Sequence, residues 1–199
     1  DCDPATVSDP DEDGDGAGCN TDCDAAVDTL VQGMGCSEDD LQDMPVDVLG
    51  AGGVARAVVA GLTDCGCVVT VFNRDAERAK ALSDSVECRV RDWEDRANAE
   101  GKVLVNCTSV GMWPDADASP MPMDALRSDC VVFDTVYRPR ETQLLRDARQ
   151  TGCTVIEGLG MFVQQAAMQF EYWTHQPADY ERIASAVAEA LQIDETPQP

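Results

Sequence analysis

Short apolar runs separated by amphipathic stretches set the rhythm of this chain. Val46-Asp47-Val48-Leu49 opens the series, and residues 68–72, 87–90, 103–106, 130–134 and 154–156 continue it. Each run is too short for a helix, and their valine content suits the pleated, half-buried surface of a strand. Helical spacing fills the gaps. It is carried by Ala57, Val58, Val59, Ala60 and Leu62 after the first run, and by residues 75–82, 92–99 and 142–150 further on. Strands alternating with helices predict an α/β fold built on a doubly wound parallel sheet, whose ligands sit beyond the carboxyl ends of the strands. Ahead of the sheet, Ala25, Ala26, Val27, Leu30 and Val31 predict a helix ended by Gly33 and Gly35, and residues 36–45 read as a polar connection. Behind it come two more helices. The first carries an apolar stripe of Phe162, Ala166, Phe170 and Trp173, expected to pack into the core, with Gln165 beside it; the second follows Pro177 with Ile183, Val187, Ala190 and Leu191.

The first run opens into Gly50-Ala51-Gly52-Gly53-Val54-Ala55. Gly50, Gly52 and Ala55 carry the spacing G-x-G-x-x-G/A in a strand–turn–helix context, the form a dinucleotide site requires. The first glycine permits the turn, and the second lets a pyrophosphate approach the backbone. The alanine keeps the helix close to the strand, and the helix start offers free N–H groups to the phosphates. The second run ends in Asn73 and Arg74, with Arg78 one turn on, where a carboxylate would be needed to hold a ribose 2′-hydroxyl. Cationic groups there suit a 2′-phosphate, so NADP is expected over NAD.

Composition narrows the partners. A net charge of −24 and a pI near 4.1 argue against nucleic acid and against an anionic membrane surface. Only two lysines stand against twelve arginines, an acid-rich and lysine-poor balance that adaptation to high salt or genomic base composition would each produce. Ten cysteines show no C-x-x-C spacing and there is one histidine, so no metal site is expected. Cys67, Cys107, Cys130 and Cys153 fall in or beside strands and read as small buried hydrophobes, which points to a reducing, cytoplasmic setting. Asp9, Asp11, Asp13 and Gly14 match the start of a calcium loop, but Asn20 stands where the bidentate glutamate belongs, and an acidic hairpin turn explains them better.

Several motifs together resemble the shikimate dehydrogenase family. They are Gly50-Ala51-Gly52-Gly53, Asn73-Arg74 with Arg78, and Asn106-Cys107-Thr108-Ser109-Val110-Gly111-Met112. Val136-Tyr137-x-Pro139-x-x-Thr142-x-Leu144-Leu145 and Gly158-Leu159-Gly160-Met161-x-Val163-x-Gln165-Ala166-Ala167 follow in order. Gly18-x-Asn20-Thr21-Asp22 resembles the segment joining that family's two domains.

The resemblance implies a Rossmann-like domain at 46–158. Residues 1–45 would be the end of a preceding substrate domain with an acidic hairpin and linking helix, and 159–199 would be helices packing back toward it. It implies reversible hydride transfer between NADPH and 3-dehydroshikimate, giving shikimate. Gly50, Ala51, Gly52, Gly53 and Val54 would hold the pyrophosphate, and Asn73, Arg74, Asp75 and Arg78 the adenosine 2′-phosphate. Thr135 and Gly158 would line the nicotinamide by their backbone. Asp22 would be catalytic and bind substrate together with Tyr137 and Gln165.

Two departures bear on activity. The family's catalytic lysine lies upstream of the Asn-Thr-Asp motif, and its substrate-binding asparagine is matched here by Ala5. The chain is therefore expected to be a C-terminal portion, with an N-terminal domain missing and little activity of its own. The alternatives are an NADP-binding module without turnover and, more weakly, an acidic calcium-binding or interaction protein.

Overall fold

The computed structural model describes residues 18–194, so the acidic segment with Asp9, Asp11 and Asp13 lies outside the described residues. Six parallel strands form one sheet: β1 (Pro45–Leu49), β2 (Val68–Asn73), β3 (Arg89–Asp92), β4 (Val103–Asn106), β5 (Val131–Asp134) and β6 (Thr154–Glu157). Their order is β3-β2-β1-β4-β5-β6. The chain thus winds outward from β1 in one direction, returns, and winds out through β4 in the other. The reversal between β1 and β4 opens a crevice at their carboxyl ends.

Period-two alternation assigns the two faces. Val46 and Val48 of β1 join Val69, Val71, Val103, Val105 and Phe133 in one buried cluster. Leu49, Phe72, Leu104 and Val132 point into the other. The first face is covered by α1 (Gly18–Met34), α2 (Gly53–Asp64) and α5 (Gly158–Thr174), the second by α4 (Gln143–Thr151) and the loop around Met121 and Leu126. The polar exception in β1 is Asp47, whose carboxylate accepts from the Gly101 backbone N–H at 2.6 Å and so secures the turn into β4.

Several boundaries differ from the sequence reading, each for a local reason. α1 continues through Gly33, where Ile156 packs so closely that a Cβ would lie 2.6 Å from it, and the helix ends before Gly35 at φ +65°. The connection at 36–45 holds a 3-10 turn, Glu38–Leu41, with Leu41 fully buried beneath it. The polar segment at 92–99 is a 3-10 turn, Trp93–Asn98, rather than an α-helix. β3 sits two residues later than its apolar content suggests, because pairing of Thr70 with Arg89 and of Asn73 with Asp92 sets its register at an exposed edge.

The aromatic stripe of α5 does not enter the core. Phe170 is 42% exposed and Trp173 56%, while Met161 and Ala167 are the side chains that the helix buries. Packing along α1 selects that narrower face, and Met161 joins the cluster that α1 helps to bury. α3 (Ala76–Ser85) and α6 (Tyr180–Asp194) complete the architecture, with α6 lying along α5. No helix among the described residues is long and apolar enough to cross a membrane.

Candidate active site

The crevice is built from the turns that leave β1, β4 and β5. After β1, Gly50 takes φ +106°, and its N–H donates to the Phe72 carbonyl at 2.8 Å. A Cβ there would meet the Cys107 carbonyl oxygen at 3.0 Å and Thr108 Cγ2 at 3.1 Å, so only glycine lets this turn lie flat on the β4 turn. Gly52 is different: its φ of −86° is ordinary, and a Cβ built on it meets nothing within 4 Å. The space in front of Gly52 is open. Gly52 also caps α2 without any side-chain acceptor, which leaves the start of that helix able to receive an anion.

The end of β2 carries the cationic element. Asn73 donates its side-chain amide to the Asp75 carbonyl at 2.8 Å, and the Asp75 carboxylate accepts from the N–H groups of Glu77 and Arg78 at 3.0 and 3.1 Å. Asp75 is therefore the N-cap of α3. Arg78 pairs with the same carboxylate at 3.5 Å, and Arg74 is exposed beside them. β2 adjoins β1, so the backbone carrying these arginines leaves the sheet beside the glycine turn.

On the other side of the switch point, a buried polar network ties β4 to β5. Asn106 and Asp134 are both 0% exposed. Asn106 donates to the Asp134 carboxylate at 2.9 Å and accepts from the Thr108 N–H and hydroxyl at 3.0 and 2.7 Å. The carboxylate also accepts from the Val136 N–H at 3.1 Å and from the Thr142 hydroxyl at 2.6 Å. Burial outweighs these bonds and pushes the Asp134 pKa up to about 6. Each strand's last residue thereby fixes the loop that follows it. Sequence reading saw Asn106 as part of a motif and Asp134 as a strand end. The available signal for their pairing was a polar residue closing each of two apolar runs.

A cleft of about 640 Å³ lies above these turns, lined by Gly53, Val54, Cys107 to Ser109, Met112, Trp113 and Thr135 to Arg138, with Leu191 of α6 at its edge. Its wall is apolar and hydroxyl-bearing. Arg138 is the charged member of that lining, its guanidinium 5.6 Å from the centre of the Trp113 ring. Trp113, Arg138 and Leu191 were not singled out from sequence as site residues, since loop and helix residues reach the cleft only through tertiary packing.

Of the remaining sequence-predicted residues, Thr135 and Tyr137 line the cleft, while Gly158, Gln165 and Asp22 lie outside its lining and connect to it through α5. Thr135 lines the cleft and donates its hydroxyl to the Asn106 carbonyl at 2.8 Å. Gly158 starts α5 flush against the β5 turn, where a Cβ would lie 2.6 Å from the Asp134 and Thr135 carbonyl oxygens. Tyr137 stacks on Phe162 of α5 with ring centres 4.5 Å apart. One turn further along α5, Gln165 donates its amide to the Asp22 carboxylate of α1 at 2.6 Å. Asp22, Gln165 and Tyr137 are thus joined through one helix. The two lysines are placed elsewhere. Lys80 pairs with Asp84 on α3, and Lys102 pairs with Asp129 at the amino edge of the sheet, where its N–H bonds the carbonyl of Pro45.

Cys67, Cys130 and Cys153 are buried and Cys107 half-buried, and burial pushes their thiols up, those of Cys67 and Cys130 to about 11. Such thiols are poor nucleophiles at neutral pH. Among the described residues no cluster of three or more His, Cys, Asp or Glu side chains is placed to hold a metal ion.

Two family models match parts of this arrangement. Residues 35–110 match one described as shikimate / quinate 5-dehydrogenase, and residues 158–188 match one described as the shikimate 5′-dehydrogenase C-terminal domain. The chain belongs to the shikimate dehydrogenase family.

Shikimate dehydrogenase (NADP(+)) from Shouchella clausii is 38% identical over 168 residues, covering 82% of this chain and 60% of that protein. The protein of the same name from Haloarcula marismortui is 43% identical over 147 residues, covering 72% of this chain and 55% of that one. Among solved structures, shikimate 5-dehydrogenase from Thermus thermophilus, in complex with NADP(H) and shikimate, superposes with a TM-score of 0.75 at 35% identity. The superposition covers 86% of this chain and 62% of that one. The chain therefore spans rather more than half the length of these shikimate dehydrogenases.

Proposed function

We propose that this chain is the NADP-binding part of a shikimate dehydrogenase and that its cleft presents NADPH to 3-dehydroshikimate for reversible reduction to shikimate. The observation that carries the reading is the open cradle at Gly52, set between exposed arginines after β2 and a cleft over β4 and β5. In a dinucleotide laid across the switch point, Arg74 and Arg78 would hold the 2′-phosphate, the start of α2 would hold the pyrophosphate, and Thr135 and Val136 would line the nicotinamide. The cationic, open and apolar character of these three places suits that group.

When bound, the reduced cofactor supplies a hydride. The chain's own residues supply position. Gln165 holds the Asp22 carboxylate toward α5, and the stacked Tyr137 brings a phenolic hydroxyl to the same side. Hydroxyl, amide and carboxylate groups of this kind suit a small polyhydroxylated ring. A carboxylate such as Asp22 can orient a neighbouring lysine and hold it protonated. Neither Lys80 nor Lys102 lies where it can serve, so the reading includes weak turnover by these 199 residues alone.

Titration calorimetry with NADPH and NADH, followed by a shikimate oxidation assay, tests both parts. The expected outcome is binding of NADPH in preference to NADH, with oxidation near background. Absence of NADPH binding would overturn the cofactor assignment, and rapid oxidation by this chain would overturn the placement of the proton-transfer group.

A further inference from the structure

We propose that the buried charge of Asp134 tunes the cleft toward the oxidised form of its nicotinamide nucleotide, acting as a positioning and electrostatic residue beneath the ring. The inference rests on the cofactor reading given above and asks more of it.

Three neutral donors converge on this position. Asn106 and Val136 both donate to one carboxylate oxygen, and Thr142 donates to the other. An asparagine could keep its oxygen toward the first two donors, but its amide would face Thr142 and leave that buried hydroxyl without its acceptor. The acceptors are thus supplied by a group that brings a full charge to a fully buried place. Buried carboxylates with no cationic partner are disfavoured by the fold and cluster at sites where their field is used.

The field reaches the cleft. Val136, one hydrogen bond from the carboxylate, lines it, and so does Cys107, whose thiol is pushed up by burial and by Asp134. The three donors to Asp134 are neutral and leave its charge uncancelled. Glu157, its register neighbour on β6, is by contrast compensated by Arg140 and Arg149. An oxidised nicotinamide ring carries a positive charge and a reduced one does not. A negative charge in a poorly solvated floor beneath the ring therefore favours the oxidised form.

The test is the ratio of NADPH to NADP⁺ dissociation constants, measured by calorimetry at pH 8 on the full chain. Asp134→Asn is expected to lower that ratio about fivefold to tenfold by weakening NADP⁺ binding. Thr142→Ser alters the packing of the same network while keeping the hydroxyl that holds the charge, and is expected to leave the ratio unchanged. An unchanged ratio in Asp134→Asn would overturn the proposal and leave the cofactor reading intact; failure of the unaltered chain to bind either nucleotide would remove that reading instead.

Should Asp134→Asn not fold, the same ratio is read on the unaltered chain at pH 8 and pH 5.5 by rapid fluorescence titration. The titratable groups facing Asp134 do not interfere across that range: Cys107 stays protonated, and Glu157 is held ionised by its two arginines. The ratio is then expected to fall at the lower pH, and constancy would overturn the proposal.

Discussion

A single carboxylate shows how much one buried side chain can set against the fold. Asp134 titrates at about 6 in the folded chain against an ordinary value of 3.8, so the folded state holds its proton more tightly than the unfolded state. By linkage its contribution to stability is fully present below about 3.8 and is lost as the pH rises through about 6. The displacement corresponds to about 3 kcal/mol at neutral pH and above. Asp134→Asn removes this term, so its stability relative to the unaltered chain should improve by about that amount between pH 4 and pH 8 in urea unfolding. Arg74 makes the complementary case at the surface, where it faces solvent beside Arg78 and costs the fold nothing. Arg74→Glu should lower NADPH affinity about tenfold or more and leave NADH affinity close to its starting value, as read by calorimetry. Residue type and spacing announced both arginines. They could not announce that Asp75, grouped with them, also caps α3, because a capping aspartate and a ligand-binding one look alike in sequence.

Elements separate what glycine does for the chain from what it does for a ligand. Gly50 is left-handed and pressed against the β4 turn, so Gly50→Ala should destabilise the protein by about 1–3 kcal/mol, seen as a lower unfolding midpoint. Gly52 has ordinary backbone angles and open space before it, so Gly52→Ala should fold with an unchanged midpoint and lose NADPH binding, because the new methyl occupies the ligand's place. Equal effects of both substitutions on stability would contradict this division of labour. The strands, their parallel order and the glycine turn were legible because each rests on local periodicity and turn chemistry. The buried side of α5 was not. A helix with aromatic residues on one side and Met161 and Ala167 on another offers two apolar faces, and the approach of α1 decides between them. Likewise β3 follows its partner's register rather than its own hydrophobicity. The pairing of Gln165 with Asp22, separated by 143 positions, follows from the fold and from no local pattern.

At the scale of the whole molecule, charge dominates. With 38 acidic residues against 14 basic ones, the folded chain repels itself, and salt shortens the range of that repulsion to about 3 Å at 1 M. The thermal midpoint should therefore rise steadily from 0.1 to 2 M KCl; a midpoint that stays flat or falls over that range would show that the acidity is not limiting. The exposed aromatic side chains are the other global feature, and one of them has an optical consequence. Trp113, 58% exposed, sits on the lining of the cleft under Arg138, whereas Trp93 is stacked beneath Arg96 and Trp173 stands far along α5. On the proposed reading, the indole on the cleft lining is the one a bound nucleotide would meet directly, and filling the cleft should change its emission.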